Sequence, residues 1–197
     1  MPLLLSARPR LFVGIIAVVM TVLGAGGGHA LQRAAAPVAA CVDLKDDPTE
    51  TRGDSSVDGK ELLWEDDSGY NDALRWAVAK WYQKTGPLSR VKIAPDNASS
   101  INDLEWRDET STDGRLGRWK AYPGVDIIYF NKRTLEMRPF NNRDARRSTA
   151  THELGHALGL CHKSDRTLTI MWREQPPDGP LQAPTEVDKA SYRKLWG

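Results

Sequence analysis

The sequence predicts one α+β domain, and three observations carry that expectation. Its 197 residues suit a single core of ordinary size. All seven Trp, and every clear periodic segment, lie between residues 64 and 196, which places the folded domain at 58–197. Within it the patterns run strand, helix, several strands, then two helices, an order that reads as α+β.

In chain order, residues 1–30 read as an export signal. Arg8 and Arg10 form a basic n-region, Leu11 to Leu23 an apolar h-region, and Gly28-His29-Ala30 ends in small residues at signal-peptidase spacing. The apolar run is shorter than the roughly 20 residues of a membrane span. Gly24 and Gly26 to Gly28 extend it, so an uncleaved anchor stays open. Val38-Ala39-Ala40-Cys41 adds lipidation of Cys41 as a third reading. The expected location is secreted, with a membrane-anchored form carrying an extracytoplasmic domain as the alternative. Residues 31–57 are Ala- and Pro-rich, then Asp- and Thr-rich. Lacking apolar periodicity, they read as an N-terminal extension or short pro-segment.

Glu61 to Glu65 is a short strand pattern. Ser68 is placed to cap a helix over 69–84, in which Tyr70, Leu74, Ala77 and Trp81 recur at helical spacing and which Thr85-Gly86-Pro87 stops. Val91 to Ile93, Asp103 to Arg107, Leu116 to Tyr122 and Val125 to Phe130 read as strands, with turns at Asp113-Gly114 and Pro123-Gly124. A long helix capped by Asn141 or Asn142 runs from Arg143 to Leu158 and stops at Gly159. A last helix, 185–195, has Thr185 as N-cap with Glu186 and Asp188 in its first turn.

Charge excludes some functions. Lys plus Arg is 27 against 26 Asp plus Glu, so no basic face for nucleic acid and no acidic tail is expected. Asp46, Asp47, Asp66, Asp67, Asp108 and Asp113 sit in expected loops and offer oxygen ligands to calcium, with solvated loop carboxylates as the plainer reading. Asn97-Ala98-Ser99 has the form of a glycosylation acceptor.

Chemistry concentrates in residues 152–162, His-Glu-Leu-Gly-His-Ala-Leu-Gly-Leu-Cys-His. His152 and His156, four apart on a helix, share one face and can reach one metal at about 2.0–2.1 Å. Glu153 points to another side, placed to hydrogen-bond a water rather than to coordinate. Gly159 permits a sharp exit from the helix, and the turned chain brings His162 back as a third nitrogen ligand. Three protein ligands leave a position open, the mark of a catalytic zinc site. A metal-free His-rich helix end and a structural zinc are the plainer readings. Of the four His, His29 lies in the export signal and the other three are all in the motif, so none is left for a second zinc.

With these residues the chain resembles the metzincin zinc endopeptidases, most of all the small secreted matrixin-like enzymes. The HExxHxxGxxH pattern is complete at His152, Glu153, His156, Gly159 and His162, and Met171 sits where the family has a Met in a tight turn beneath the zinc. The resemblance implies a zincin fold, a twisted mixed sheet with an N-terminal helix, an active-site helix and a C-terminal helix. It implies peptide-bond hydrolysis of protein or peptide substrates with Glu153 as general base. It also implies that Leu116 to Tyr122 is the edge strand that pairs with substrate and that 172–184 lines the pocket. Departures are visible. Trp172-Arg173-Glu174-Gln175 does not match the matrixin Met-Tyr-Pro wall, and Arg173 stands where some branches have a zinc-binding Tyr. His162 differs from the Asp of snapalysins, and Cys41 lacks the matrixin pro-segment signature that would make it a thiolate switch. In an oxidising compartment Cys41 and Cys161 suggest one disulfide, with lipidation of Cys41 or a free thiol as rivals. Two other functions compete: an exported zinc amidase of narrow substrate, and a catalytically silent binding module on the same scaffold. Contact with a membrane is expected only if the N-terminal segment stays uncleaved or Cys41 is lipidated.

Overall fold

Alternating burial builds a five-stranded mixed sheet from β1 (Glu61–Asp67), β2 (Lys92–Pro95), β3 (Leu104–Glu109), β4 (Gly117–Lys120) and β5 (Asp126–Asn131). The order is β2-β1-β3-β5-β4. Neighbours are parallel except β4, which runs antiparallel to β5 with Trp119 opposite Ile128. Helices α1 (Asn71–Trp81), α2 (Lys132–Leu135), α3 (Arg143–Ala157) and α4 (Glu186–Trp196) complete the α+β fold. The structure, a computed structural model, describes residues 36–42 and 48–197; the expected signal at 1–30, with Asp46 and Asp47, lies outside them. Among the described residues no helix is long and apolar enough to cross a membrane.

The core lies between the sheet and the helices α1 and α3. Leu62, Leu104, Trp106, Ile128 and Phe130 come from strands, Leu74, Ala77 and Trp81 from α1, and Ala150, Leu154 and Ala157 from α3. Trp106 stacks on Phe130 at 5.7 Å between ring centres, and Tyr70 meets the same ring edge-on at 5.2 Å. Fully buried Trp81 donates its indole N–H to the Thr151 carbonyl at 2.7 Å, latching α1 to α3. Satisfying that N–H is what lets so large an amphipathic ring sit in the core.

Several boundaries differ from the sequence expectation. Helix α1 is shorter than 69–84. Ser68 does not cap it: its hydroxyl donates to Asp108 Oδ1 at 2.6 Å and accepts from the Tyr70 N–H at 3.1 Å, holding the turn before the helix. At the other end Tyr82 is already extended (φ −121°, ψ 123°), so the chain leaves the helix before Thr85-Gly86-Pro87. The single turn of α2 is too short to show a period. Asp66 and Asp67 belong to β1 and Asp108 to β3 rather than to loops, and Asp108 is already engaged by Ser68 and the Gly69 N–H.

Residues 48–57, expected as an extension, pack into the same compact unit, which spans Ala34–Gly197. The Ser56 N–H donates to the Ala157 carbonyl at 2.8 Å and the Thr51 N–H to the Gly159 carbonyl at 3.1 Å, while the Arg52 guanidinium holds the Leu195 carbonyl. The Ser56 hydroxyl also links the Trp119 indole to Asp126. Because this segment docks through polar contacts to carbonyls at helix ends, it leaves no apolar period to read.

Gly155 on α3 faces Met171 and Trp81. A Cβ there would overlap the Met171 sulfur and come within 3.2 Å of the Trp81 ring. Gly155→Ala is expected to destabilise the domain by about 1–3 kcal/mol through overpacking, read as a lower midpoint in thermal unfolding. An unchanged midpoint would show that the contact has slack.

Candidate metal centre

Helix α3 delivers most of the site. Asn142, not Asn141, is its N-cap, its side chain accepting from the Ala145 N–H at 2.8 Å. From Ser148 to Ala157 every residue is buried, so His152, Glu153 and His156 lie inside the protein although the helix is mostly polar in sequence. The helix closes as a Schellman turn. The Leu160 N–H donates to the Gly155 carbonyl at 3.0 Å and the Gly159 N–H to the His156 carbonyl at 2.8 Å, with Gly159 at φ 83°. A Cβ at Gly159 would also overlap the Thr51 carbonyl. The glycine is therefore required twice, by its backbone angle and by the chain crossing it.

The turn brings His162 to the two helix histidines. Their Nε2 atoms form a near-equilateral triangle: 3.1 Å from His156 to His152, 3.1 Å from His156 to His162 and 3.2 Å from His152 to His162. Two tautomers follow from the partners of the other ring nitrogens. His152 Nδ1 lies 2.8 Å from the Ile170 carbonyl and His156 Nδ1 2.8 Å from the Leu160 carbonyl. A carbonyl only accepts, so each Nδ1 carries the proton and each Nε2 turns a lone pair inward. Such an arrangement fits a cation. About 3.3 Å separates nitrogens that share one ion tetrahedrally at about 2.0–2.1 Å. The group His152, His156 and His162 can hold a metal ion. Burial, reinforced by His162, pushes the His152 imidazolium down to about 3, and burial with both neighbouring rings holds His156 well below its ordinary range. Neutral rings are the metal-binding form.

Glu153 stands outside that triangle, as its helical position requires. It is buried, and its Oε2 accepts from the Trp119 N–H of β4 at 2.8 Å. Burial raises its carboxyl to about 8, against the opposing pull of that hydrogen bond and of Arg115. Strand β4 is the sheet edge expected within Leu116 to Tyr122, trimmed to four residues. Gly117 admits it to α3: a Cβ would lie 2.7 Å from Thr149 Cγ2 and 3.3 Å from Glu153 Cγ.

Met171 is fully buried in the turn after the third histidine. Ile170, beside it, orients His152 through its carbonyl, which also accepts from Gln175 Nε2 at 2.8 Å. Asp188 anchors that turn. Wholly buried, it accepts from the Ile170 N–H at 2.9 Å, the Thr185 N–H at 2.7 Å and the Thr169 hydroxyl. The sequence marked Asp188 only as a first-turn acid; its capping box with Thr185 is the signal that it faces inward. The sequence marked Gly117 and Gly155 for no role of their own, and Gln175 only as part of the pocket-lining stretch 172–184. A glycine inside a strand pattern was the available sign for Gly117.

Cys41 and Cys161 form a disulfide with Cα atoms 5.6 Å apart. In this state Cys41 has no thiol for a lipid or for a thiolate switch. None of the loop aspartates joins a metal-binding group among the described residues. No family model matches the chain, and no curated protein matches it.

Two outcomes follow. Gly159→Ala is expected to cost at least about 1–3 kcal/mol and to weaken metal uptake, measured by thermal unfolding and metal titration; retention of both would contradict the double constraint. The second concerns the metal-free protein. The depressed His152 and His156 contribute stability that is lost as pH falls below their ordinary 6.5, because the unfolded chain then binds protons the folded one excludes. Raised Glu153 contributes stability present at low pH and lost as pH rises through about 8. The chelated protein should therefore unfold at its highest temperature near about pH 6.5, and a midpoint still climbing through pH 8 would contradict this.

Proposed function

We propose that the protein is a secreted, zinc-dependent endopeptidase of the metzincin type. One observation carries the reading: the Nε2 atoms of His152, His156 and His162 converge beside the buried Glu153 carboxyl of α3, against an edge strand of the mixed sheet. The order of elements, the buried methionine after the third histidine and the Gly159 turn support it. The disulfide agrees with an oxidising compartment, as the expected signal at 1–30 requires.

His152, His156 and His162 would hold the metal. Three imidazoles with a position left open suit zinc, which when bound would supply Lewis acidity toward a substrate carbonyl. Glu153 takes a proton from the attacking water and returns it to the leaving amine. Burial favours the protonated carboxyl of Glu153, and a bound cation beside it would favour the carboxylate that the base half requires. The backbone of β4 offers an extended peptide a strand to pair with. The Trp119 N–H meanwhile holds the Glu153 carboxylate in orientation. The Ile170 and Leu160 carbonyls keep two of the rings in the tautomer that binds metal.

The test is degradation of casein by the secreted form with and without a zinc chelator. Glu153→Ala should keep zinc and lose about 10²–10⁴-fold in turnover. His156→Ala should lose the metal. Normal proteolysis in either variant would sink the assignment. A zinc-loaded wild type that leaves casein intact would favour the narrow amidase or the binding module.

A further inference from the structure

The N-terminal arm is fastened to the loop of the third ligand at several points along its length. Cys41 is bonded to Cys161, the residue before His162. The Val42 N–H donates to the His162 carbonyl at 2.9 Å, and Cys41 pairs as an antiparallel bridge with Lys163, the residue after it. Lys163 is a wholly buried cation. Its Nζ donates to the Ala39 carbonyl at 2.9 Å and pairs with the buried Glu50 carboxylate, which also meets Lys194 at 3.2 Å. Thr51 closes the other end of the loop on the Gly159 carbonyl. On its inner side the loop is tied by the Lys163 N–H to the Met171 carbonyl at 2.8 Å.

We propose that residues 39–42 and 48–51 are a covalent clamp that sets the affinity of the metal centre by holding His162 in place, so that reduction of Cys41–Cys161 loosens the metal. The proposal rests on the metal-centre reading above and adds its regulation. His162 is the one ligand that does not sit on α3. The helix hydrogen bonds place His152 and His156, whereas His162 depends on the path of residues 159–163, and both of its flanking residues are fastened to the arm. A buried Lys–Glu pair adds little net stability but is geometrically exacting, because Lys163 without Glu50 would be an uncompensated buried charge. In the reducing step a dithiol gives two electrons and two protons to the S–S bond. It closes into its own disulfide, and Cys41 and Cys161 are left as thiols. The arm then keeps only its hydrogen bonds and the ion pair. Lys163, Glu50 and the two cysteines are positioning residues in this scheme, not catalytic ones.

The experiment is a double-mutant cycle in zinc affinity, read by competition with a chromogenic chelator. Cys41→Ser/Cys161→Ser is made in the wild-type chain and in His162→Ala. If the clamp acts through His162, removing the disulfide weakens zinc by about 10–100-fold in the first background, the range for groups that orient ligands. In the second background the effect falls to less than about 2-fold. Equal losses in both backgrounds, or none in the first, would overturn the proposal. Lys163→Met, which leaves Glu50 paired with Lys194, should show the same dependence on His162 and serves if the cysteine variant does not fold. A wild type that takes up no zinc would remove the metal reading itself, a result distinct from equal losses.

Discussion

Three imidazole nitrogens lie within 3.2 Å of one another, and those of His152 and His156 point unshared electron pairs at one small volume. Rings so placed are fixed by what their other nitrogens bond to. Here the Ile170 and Leu160 carbonyls do the holding for His152 and His156, by accepting from the opposite ring nitrogens. The demand then spreads outward. Ile170 needs a fixed turn, and that turn needs Asp188. Leu160 needs the glycine exit from α3, and Thr51, lying across that exit, needs the same glycine. Much of the polar structure of the C-terminal half is spent on this one convergence.

Burial explains why the arrangement is sharp rather than loose. Around the histidines α3 is enclosed by Trp81, Met171 and the β4 backbone, and small residues decide how closely these approach. Gly155 faces Met171, and Gly117 faces Thr149 and Glu153. The same enclosure keeps His152 and His156 neutral and raises the carboxyl of Glu153, since each charged form would lose its hydration. One low-dielectric environment thus acts on both the helix histidines of a group that can hold a metal ion and the carboxyl beside them.

Much of the fold was legible. Strands β1, β3 and β5 carry alternating or continuous apolar patterns, α1 has a clean helical period, and the Asn141-Asn142 pair and Thr185 announce the helix starts. The spacing of residues 152–162 marked all three histidines, Glu153 and Gly159. Less legible were features without a period. The single turn of α2 is one, and the 48–57 segment is another, because it docks by hydrogen bonds to helix-end carbonyls rather than by apolar side chains. Ser68 has the chemistry of a cap, but Asp108, forty residues on, competed for its hydroxyl and won.

What the sequence determined by itself is the local geometry of the ligands: a four-residue interval on a helix and a glycine-permitted exit dictate where two rings and a returning third must lie. The tertiary structure alone decided what holds them. The Cys41–Cys161 bond, the Lys163–Glu50 pair, the Asp188 anchor and the Trp119 contact to Glu153 join residues 18 to 120 positions apart. Local spacing constrains a turn of backbone because its dihedral angles are few. Contacts across such distances depend on how every intervening element packs, and no short-range pattern records that.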